Sequence, residues 1–538
     1  MVTQPPRAEH AMVVSGEANA TDVGLATLNG GGNAIDAAVA MSFCLSVTHS
    51  GMCGLGGGGY LLVRMSDGRT EFLDFRERAP RKASAEVFNA SEGTLCKENM
   101  TTWLTVAVPG HVRGLELAHK RFGTKPWEEL LQPAIELAAN GHSVSYLRAQ
   151  SMRVSAKLAQ DPESKRIFQR NGRCYEVNET LIQPELANAL GRVAMQGSTD
   201  FYSGETAQML SAAMTNQGGL LTLEDLKDYV VVPQKPLAGR YRDYELITAS
   251  GSSAGGIALL QMLGVLAGSG YERSGSAGSG AVVHYMTETM RRVFADCSQH
   301  VGDPEFVTTP VTALLSADHL AALRASIDAA RATPSRETLP SQFSALGSGD
   351  TTHFSVLDAS GNAVAVTCSL NSEYGSGITV PGLGFLLNSH MDNFAAQPGS
   401  PNPYGLALGG ANALQPRKRP ISFMTPTMAL LDGKLFMVIG TPGGPTIPNS
   451  LLQTIVNVVD FRMPAVDAVS MPRFHHQWLP DKLRMEPGFS SVTMRVLTEL
   501  GHEIEIGDSN NDMNMILIDD NGIHGVIDPR REGKGAGH

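Results

Sequence analysis

The segment Thr351–Leu357, which reads TTHFSVL, is followed by the turn Asp358–Gly361 and by a second apolar segment, Ala363–Ser369. Two short β-rich segments around a turn that ends in glycine predict a β-hairpin. Immediately before the hairpin, residues Thr333–Gly349 are rich in proline, serine and glycine, which is typical of a flexible connection. The sequence therefore predicts that a polar linker runs directly into the first strand of a hairpin at Thr351.

The register of this hairpin is expected to bring hydroxyl groups towards Thr351. If the four-residue turn sets the pairing, residue 351 lies opposite about residue 368, give or take one. Thr367 and Ser369 share a face of the second strand, because side chains alternate with a period of two along a strand. One register therefore predicts that both hydroxyl groups lie beside the Thr351 side chain.

A threonine at the start of a strand is ordinary, but a threonine released by chain cleavage has useful chemistry. Cleavage before Thr351 would leave a nucleophilic hydroxyl and an α-amine on the same residue. The pKa of an α-amine is about 7.7–8.0, so this amine is suited to act as a general base at neutral pH. Thr367 or Ser369 would then orient the reacting group. From the residues alone, this hypothesis stands beside the ordinary interpretation of Thr351-Thr352 as a strand start.

The part of the chain before the linker is predicted to be mostly helical, with a few strands. A glycine run, Gly54–Gly59, precedes two strand-like segments, Tyr60–Met65 and Thr70–Phe75. Elsewhere apolar residues recur with helical spacing. The predicted helices are Thr21–Asn29, Ala34–Val47, His111–Phe122, Trp127–Asn140, Glu185–Met195, Thr206–Thr215, Leu223–Asp228, Ile257–Leu266, Val282–Phe294 and Ala317–Ala330.

Composition limits the class of protein. Of the 538 residues, 42% are hydrophobic and 18% are charged, so a large core is expected and general disorder is not. The formal net charge of -11 argues against nucleic acid or an anionic membrane as the main partner. No signal peptide is visible at the N-terminus, and the longest apolar run, Ala37–Val47, is too short to span a bilayer. We therefore expect a soluble chain, either cytoplasmic or trimmed of an export signal.

The cysteines do not form a recognisable metal or redox motif. None belongs to a CxxC pair, and six cysteines in a chain of this length do not make a disulfide scaffold. We interpret them as mostly buried small apolar residues and predict no metal site. They are Cys44, Cys53, Cys96, Cys174, Cys297 and Cys368.

Six motifs, in the same order along the chain, resemble the γ-glutamyltranspeptidase family. The similarity extends from about residue 10 to about residue 530 and includes Gly302-Asp303-Pro304 and Phe474–Trp478. The six motifs are Gly31–Ala38 (GGNAIDAA), Gly54–Gly59 (GLGGGG), Asp74–Glu77 (DFRE), Thr351–His353 (TTH), Lys418–Pro420 (KRP) and Pro442–Gly444 (PGG).

The resemblance implies an α/β (α+β) fold, a four-layer αββα sandwich of the N-terminal-nucleophile hydrolase type. It implies self-cleavage between Asp350 and Thr351 into a large subunit, residues 1–350, and a small catalytic subunit, residues 351–538, which stay together as one intertwined domain. The implied activity is hydrolysis of γ-glutamyl amides such as glutathione, or transfer of the acyl group to an amino acid or peptide, without a cofactor. The implied partners are these small molecules and the chain's own two fragments. Family members are often periplasmic or extracellular.

The resemblance also assigns roles residue by residue. Arg76 corresponds to the family residue that binds the substrate α-carboxylate. A guanidinium suits this role because it can form two hydrogen bonds with a carboxylate. The alternative for Arg76 is a surface ion pair with Glu77, and the alternative for the glycine pair Gly443-Gly444 is a tight turn. The remaining implied roles are the nucleophile for Thr351 with Thr367 and Ser369 beside it, an α-amino contact for Asn371, a second carboxylate contact for Ser422, the oxyanion hole for Gly443 and Gly444, and a lid for Tyr404.

The chain departs from the family pattern where the substrate binds. The family usually offers Gln or Glu and then Asp to the substrate ammonium group, but here those positions are His390 and Asn393, although Asp392 remains. The family's Ser-Ser pair is Ser422-Phe423. These changes affect the substrate more than the chemistry. A glutaryl-amide (cephalosporin) acylase or a poly-γ-glutamate hydrolase is therefore an alternative within the family.

Other interpretations are open from the sequence. The run Gly54–Gly59 contains GxGxxG, but a predicted helix precedes it and a strand follows, which is the wrong order for a dinucleotide site. The segment Gly251–Gly255 (GSSAG) matches a hydrolase nucleophile elbow with Ser253. His475 and His476 have no third ligand spaced nearby and are interpreted as structural. A non-catalytic member that binds a γ-glutamyl compound without cleaving it is the last alternative.

Overall fold

Two seven-stranded sheets, with all neighbouring strands antiparallel, form the centre of the protein. The structure is a computed structural model and describes residues 5–84, 86, 101–338, 350–395, 409–508 and 511–538. The predicted mixed α/β class is confirmed. In spatial order the first sheet contains Arg7–Ala8, Gly522–Ile527, Asn514–Asp519, Lys434–Gly440, Thr427–Leu431, Tyr244–Thr248 and Leu237–Tyr241. The second sheet contains Lys534–Gly537, Met12–Ser15, Asp350–Leu357, Ala363–Asn371, Gly58–Arg64, Thr70–Phe75 and Val232–Gln234.

Smaller strands lie outside the two large sheets. Phe474–His475, Leu483–Met485 and Ile504–Ile506 form a three-stranded sheet. Two short pairs are His142–Ser143 with Thr180–Leu181 and Gln169–Arg170 with Arg173–Cys174.

Most predicted helices are confirmed with small differences at their ends. The last one before the linker, predicted over Ala317–Ala330, ends at Ala325, and the one predicted over Val282–Phe294 extends over Gly280–His300. Short 3-10 turns occupy Trp103–Thr105, Tyr271–Arg273, His390–Asn393 and Gly410–Asn412. The described α-helices are Ala18–Asn29, Ala34–Thr48, His111–Phe122, Trp127–Asn140, Tyr146–Val154, Ala156–Gln160, Pro162–Phe168, Pro184–Gln196, Ser198–Ser203, Glu205–Asn216, Leu223–Lys227, Ala254–Ala267, Gly280–His300, Val311–Leu314, Ala317–Ala325, Thr446–Val459, Ala465–Ser470 and Ser491–Glu499.

The two faces of the second sheet contribute to different apolar cores. Tyr60 and Leu62 belong to a core that also contains side chains of the first sheet, whereas Leu61 and Val63 belong to a core with the helix Ala34–Thr48. This division follows from the alternation of side chains along a strand. The helix Ala34–Thr48 is buried on every side, which explains why its apolar residues lack a polar face.

The glycine run is required by close packing between strands. A Cβ atom on Gly58 would lie 2.4 Å from the Phe75 carbonyl oxygen, and one on Gly59 would lie 2.3 Å from the Thr367 carbonyl oxygen. Glycine is therefore the residue that fits at both positions. The run leads into the strand Gly58–Arg64 and not into a helix, so the arrangement of a dinucleotide site is absent from this segment.

The predicted hairpin is confirmed, with one irregularity at Thr351. Thr352 pairs with Cys368, but Asp350 pairs with Asn371, so the register shifts between them. Two residues, Ser369 and Leu370, therefore lie opposite the single residue Thr351, and Ser369 is within the one-residue range expected around position 368. A β-bulge of this kind inserts one extra residue and turns a side chain away from the regular alternation, which a simple count from the turn does not reveal.

Candidate active site

The Thr351 side chain is buried beside Ser369. Its hydroxyl lies 3.4 Å from the Ser369 hydroxyl, to which it donates. The Thr367 hydroxyl, which was expected at the same place, instead forms a hydrogen bond of 2.8 Å with Nδ1 of His353. Burial lowers the pKa of His353 to about 3, so its ring is neutral at pH 7. The structure thus places one of the two predicted hydroxyls within reach of Thr351 and uses the other to hold His353.

A small cavity of about 30 Å³ brings most of the predicted site residues together. Its lining contains no aspartate or glutamate among the described residues. Tyr404 and most of the predicted linker Thr333–Gly349 lie outside the described residues. The cavity is lined by Arg76, Thr351, Ser369, Asn371, His390, Asn393, Ile421, Ser422, Phe423, Met424, Gly444 and Pro445.

Arg76 is held rigidly at the wall of this cavity. Its Nε and Nη2 groups donate to the backbone carbonyls of Pro420 and Ile421, each at 3.4 Å. Its Nη1 lies 3.2 Å from Oε2 of Glu77, and both side chains are almost completely buried. The ion pair with Glu77 therefore exists, but it is not the surface pair that the sequence suggested. A buried guanidinium fixed by two carbonyls presents a defined cationic edge to the cavity.

Glu77 and His390 complete a buried charged group beside Arg76. Oε1 of Glu77 lies 2.9 Å from Nδ1 of His390, although the two atoms do not form a hydrogen bond of normal geometry. Burial and the Arg76 charge lower the pKa of His390 to about 4, with Glu77 acting in the opposite direction. Burial opposes ionisation of Glu77, but His390 and Arg76 hold the pKa of its carboxyl below the usual value. At neutral pH the group is therefore a Glu77–Arg76 ion pair next to an uncharged imidazole.

The pocket is supported by residues to which the sequence analysis gave no role. Asp74 accepts hydrogen bonds from the Arg76 backbone N–H at 2.9 Å and from the Ser252 hydroxyl at 2.8 Å. The Ser252 hydroxyl also contacts the Tyr60 hydroxyl at 2.7 Å. The backbone carbonyl of Ser422 accepts from the Ala254 N–H at 2.8 Å. This network connects the Gly251–Gly255 loop to the pocket. In the sequence, only the Asp74 carboxylate of the DFRE motif indicated that such a network exists.

Ser253 is a helix cap and not a nucleophile. Its hydroxyl is completely buried, donates to the Met424 carbonyl at 2.7 Å and accepts from the Gly255 N–H at 3.1 Å. It stands immediately before the helix Ala254–Ala267, where a serine oxygen satisfies an unpaired N–H. The nucleophile-elbow interpretation is therefore wrong.

The part of the pocket expected to receive an ammonium group is uncharged. The Asn371 amide donates from Nδ2 to the Ser389 carbonyl and hydroxyl, at 3.0 and 3.1 Å. Oδ1 of Asn393 is buried and has no hydrogen-bond partner among the described residues. Asp392 is not among the residues that line the cavity, and burial raises the pKa of its carboxyl well above the usual value. The cavity also receives the apolar ring of Phe423, which stacks on Phe294 with 5.3 Å between centroids.

The glycine pair Gly443-Gly444 lies just before the start of the helix Thr446–Val459, at the edge of the pocket. Gly443 and Gly444 have φ angles of 128° and 56°, a region that glycine adopts readily. Within the described part of the chain, neither of their N–H groups donates to a backbone carbonyl. Gly444 lines the cavity with Thr351, whereas Gly443 does not. Unpaired N–H groups near a helix N-terminus are suited to bind an anion.

Thr351 also lines a second, larger cavity of about 250 Å³. Arg148, Glu373 and Arg531 supply charged side chains to its wall, and Pro442 lies at the same wall. Thr351 therefore borders two spaces of different character. One is narrow and contains Arg76, and the other is wider and contains charges of both signs.

Several other predictions concern residues outside the pocket. His475 contacts Asn449 and Gln477 at 2.7 and 2.9 Å, and His476 contacts Asp481 at 3.3 Å, so their structural role is confirmed. The five cysteines in the described ranges are free; four are buried, and Cys174 is half-buried. Cys96 lies outside the described residues. Of the helices that the structure describes, none is long and apolar enough to cross a membrane.

Several known proteins are similar to this chain in sequence or in structure. The sequence profile described as Gamma-glutamyltranspeptidase matches residues 20–538. The glutathione hydrolase proenzyme of Escherichia coli (strain K12) is 40% identical over 533 residues, which cover 98% of this chain and 92% of the relative. The Acylase ACY 1 proenzyme of Pseudomonas sp. (strain SE83) is 35% identical over 515 residues, which cover 93% of this chain and 88% of the relative.

Among solved structures, the cephalosporin acylase from Bacillus halodurans matches with a TM-score of 0.88 and 25% sequence identity. The match covers 100% of this chain and 97% of that one. A family profile that covers nearly the whole chain, and relatives at 35–40% identity over most of their own length, decide the classification. The chain therefore belongs to the γ-glutamyltranspeptidase family and is an enzyme of the hydrolase and transferase class.

Proposed function

We propose that this chain is a self-processing threonine amidohydrolase that acts on γ-glutamyl amides such as glutathione. The observation that carries the proposal is that one pocket is lined by Thr351, Arg76 and Gly444. A nucleophile, a carboxylate-binding group and a backbone N–H donor are the parts needed to bind and cleave the amide of an acidic acyl group. The 40% identity to a glutathione hydrolase proenzyme supports the same class of donor.

In the proposed maturation, the Thr351 hydroxyl attacks the carbonyl carbon of Asp350, and the peptide bond is exchanged for an ester. Hydrolysis of the ester then frees the α-amine of Thr351 and the α-carboxylate of Asp350. The fragments are residues 1–350 and 351–538, and they stay paired because strands of both belong to the same sheets. The strand Asp350–Leu357, for example, pairs with Met12–Ser15. The two apolar cores on either side of the second sheet support a four-layer αββα arrangement.

In the proposed turnover, the Thr351 α-amine accepts the hydroxyl proton while the hydroxyl oxygen attacks the substrate carbonyl carbon. The C–N bond breaks, the leaving amine takes up the proton, and the acyl group remains on Thr351 as an ester. Gly443 and Gly444 stabilise the negative oxygen, and a donor of this kind is worth about 10²–10³ in rate. Water or an acceptor amine then attacks the ester and restores Thr351. The larger cavity beside Thr351 gives the leaving group and the acceptor their path.

For the donor, we propose that Arg76 and Ser422 hold the α-carboxylate and that Asn371 and Asn393 face the α-amino group. A second candidate donor is a glutaryl amide, or an interior unit of poly-γ-glutamate, which has no free α-ammonium group. The observation that favours this candidate is the neutral lining of the pocket at Asn393 and Phe423. The 35% identity to Acylase ACY 1 supports it as well.

The test is mass spectrometry of the purified chain with a γ-glutamyl anilide. Wild type is expected as two fragments, the smaller beginning Thr-Thr-His-Phe, and acid quenching during turnover is expected to trap an ester on that fragment. Thr351→Ala is expected to remain one uncleaved chain without an adduct. Cleavage at another bond, or a cleaved alanine variant, would contradict the mechanism. A single wild-type chain that binds the anilide without releasing aniline would favour the non-catalytic alternative.

A further inference from the structure

Three side chains of the kinds that bind metals lie together next to the pocket, and none of them has a role in the mechanism above. Cys53, His111 and Cys368 each offer one ligand atom, and these atoms all lie within 4.8 Å of one another. All three residues are completely buried. They come from the loop before Gly58–Arg64, from the first residue of the helix His111–Phe122 and from the second strand of the hairpin. No spacing motif in the sequence connects them.

His111 is the anomalous member of this group. Neither Nδ1 nor Nε2 has a hydrogen-bond partner among the described residues. The ring meets Phe43 and Phe75 edge-on, each with 6.2 Å between ring centroids. The Ser42 backbone is near enough to interact, but it makes no hydrogen bond of normal geometry. A buried imidazole with two unsatisfied nitrogens requires an explanation, because nearly all buried polar atoms in folded proteins have a partner.

A second buried cluster of similar composition has protein partners for most of its polar atoms, although Nδ1 of His502 has none among the described residues. Nδ1 of His284 contacts Nε2 of His502 at 2.8 Å, and Nε2 of His284 contacts the Asp328 carbonyl at 2.8 Å. The carboxylate of Glu288 is held by Arg291 and Arg292 at 3.1 and 2.7 Å. Two guanidinium groups thus supply the positive charge in that cluster. Among the residues that the structure describes, no guanidinium or ammonium group pairs with a member of the group around His111, and its thiols are weak hydrogen-bond donors.

We propose that Cys53, His111 and Cys368 bind one Zn²⁺ ion. Two thiolates and a neutral imidazole are ligands that zinc prefers, and they leave one position of a tetrahedral site open. The two thiolate charges balance the charge of a divalent cation, so the occupied site buries no net charge. Zn–S bonds of about 2.3 Å place two sulfurs about 3.8 Å apart in tetrahedral geometry, which is compatible with ligand atoms already within 4.8 Å.

The proposed ion would connect three segments that shape the pocket. Cys368 directly precedes Ser369, whose hydroxyl contacts Thr351. Cys53 precedes the glycine run, and the Gly57 carbonyl accepts from the N–H of His111 at 3.0 Å. Zinc would therefore fix the hairpin strand against the glycine run and the helix from the side opposite to the substrate. Its role would be to position these segments, since none of the three ligands lines the cavity.

The test measures metal and not activity. The full-length chain is loaded with Zn²⁺, passed over a weak chelating resin and analysed for its zinc-to-protein ratio. About one equivalent is expected, with X-ray absorption showing two sulfurs at about 2.3 Å and nitrogen at about 2.0–2.1 Å. Cys53→Ser, His111→Gln and Cys368→Ser are each expected to weaken zinc binding at least about 100-fold, because loss of an outer-shell group alone costs about 10–100-fold.

The matched controls are Cys44→Ser and Cys297→Ser, which remove buried cysteines outside the group and are expected to keep full zinc content. Wild type that retains no zinc would overturn the proposal, as would zinc held by nitrogen and oxygen ligands only. A Cys53–Cys368 disulfide in the freshly purified chain, found by peptide mapping without reductant, would overturn it too. The X-ray absorption spectrum of the zinc-loaded wild type shows whether sulfur ligands bind the ion, even if the ligand variants do not fold.

Discussion

The Thr351 hydroxyl lies 3.4 Å from the Ser369 hydroxyl, at the point where two hairpin residues lie opposite Thr351. The distance is long for an O–H···O hydrogen bond, as is common at catalytic groups before substrate binds. The Ser369 oxygen is fixed from its other side, since it accepts from the Asn371 N–H at 2.8 Å. We infer that Ser369 is the group that aims the nucleophile.

Replacing Ser369 is expected to slow both chemical steps. Ser369→Ala removes a fixed hydroxyl worth about 1–3 kcal/mol, which is roughly 10–100-fold in rate. Gel time courses of chain cleavage and kcat for a γ-glutamyl anilide measure the two effects. Ser360→Ala, in the exposed hairpin turn, serves as the control and should change neither rate. Equal rates for Ser369→Ala and wild type would remove Ser369 from the mechanism.

Arg76→Lys is expected to weaken donor binding while leaving chain cleavage intact. Lysine keeps the charge but loses the planar fork that two carbonyls hold at the cavity wall. Loss of one charged hydrogen bond costs about 1.5–3 kcal/mol, so KM should rise roughly 10–100-fold. Arg69→Lys, in an exposed ion pair with Asp67, is the matched control. An unchanged KM for every acidic donor would mean that Arg76 does not bind the donor and serves only as the ion-pair partner of Glu77.

Asn393→Asp is expected to restore a preference for donors with a free α-amine. The measured quantity is the ratio of kcat/KM for γ-glutamyl over glutaryl anilide. An ammonium–carboxylate pair in a buried site is worth about 3–5 kcal/mol, so a rise of at least about tenfold is a conservative expectation.

Asp392→Asn is the informative companion, because Asp392 does not line the cavity and its loss should leave the ratio unchanged. A ratio that falls in Asp392→Asn would mean that Asp392, and not residue 393, receives the ammonium group. A high wild-type ratio that Asn393→Asp does not change would place Asn393 outside the ammonium site.

Acid is expected to destabilise the fold through buried histidines. Burial lowers the pKa of His353 and of His475 to about 3, below the unfolded value of about 6.5. The unfolded chain therefore binds more protons between these values. The stability contributed by each neutral ring is complete above about pH 6.5 and is lost as the pH falls towards 3, by up to about 1.4 kcal/mol per pH unit for each ring.

Urea unfolding between pH 7.5 and pH 5 measures this slope. His353→Gln should make the slope shallower, whatever it does to the stability at pH 7.5. His10→Gln, at an exposed position, should not alter the slope. An unchanged slope in His353→Gln would mean that this ring does not titrate between the folded and unfolded states.

The position of the hairpin and of most helices could be predicted from local sequence patterns, whereas the fold class followed from the family resemblance. Alternation with a period of two and the Asp358–Gly361 turn placed both strands, and helical spacing found the helices His111–Phe122 and Trp127–Asn140 at their observed ends. The bulge at Thr351 escaped prediction because it depends on pairing across the hairpin. The role of Ser253 escaped as well, since a GxSxG segment has the same local pattern whether its serine is a nucleophile or a helix cap.

The sequence by itself determined the nucleophile candidate, the glycine run and the departures from the family pattern at His390 and Asn393, because these are identities of single positions. Only the tertiary structure decided which of them meet. Arg76 and Thr351 are 275 residues apart in the chain, yet they line one cavity. Likewise, Cys53, His111 and Cys368 lie together without a common motif. Such contacts follow from the packing of whole sheets and helices, and no periodicity within a short segment encodes them.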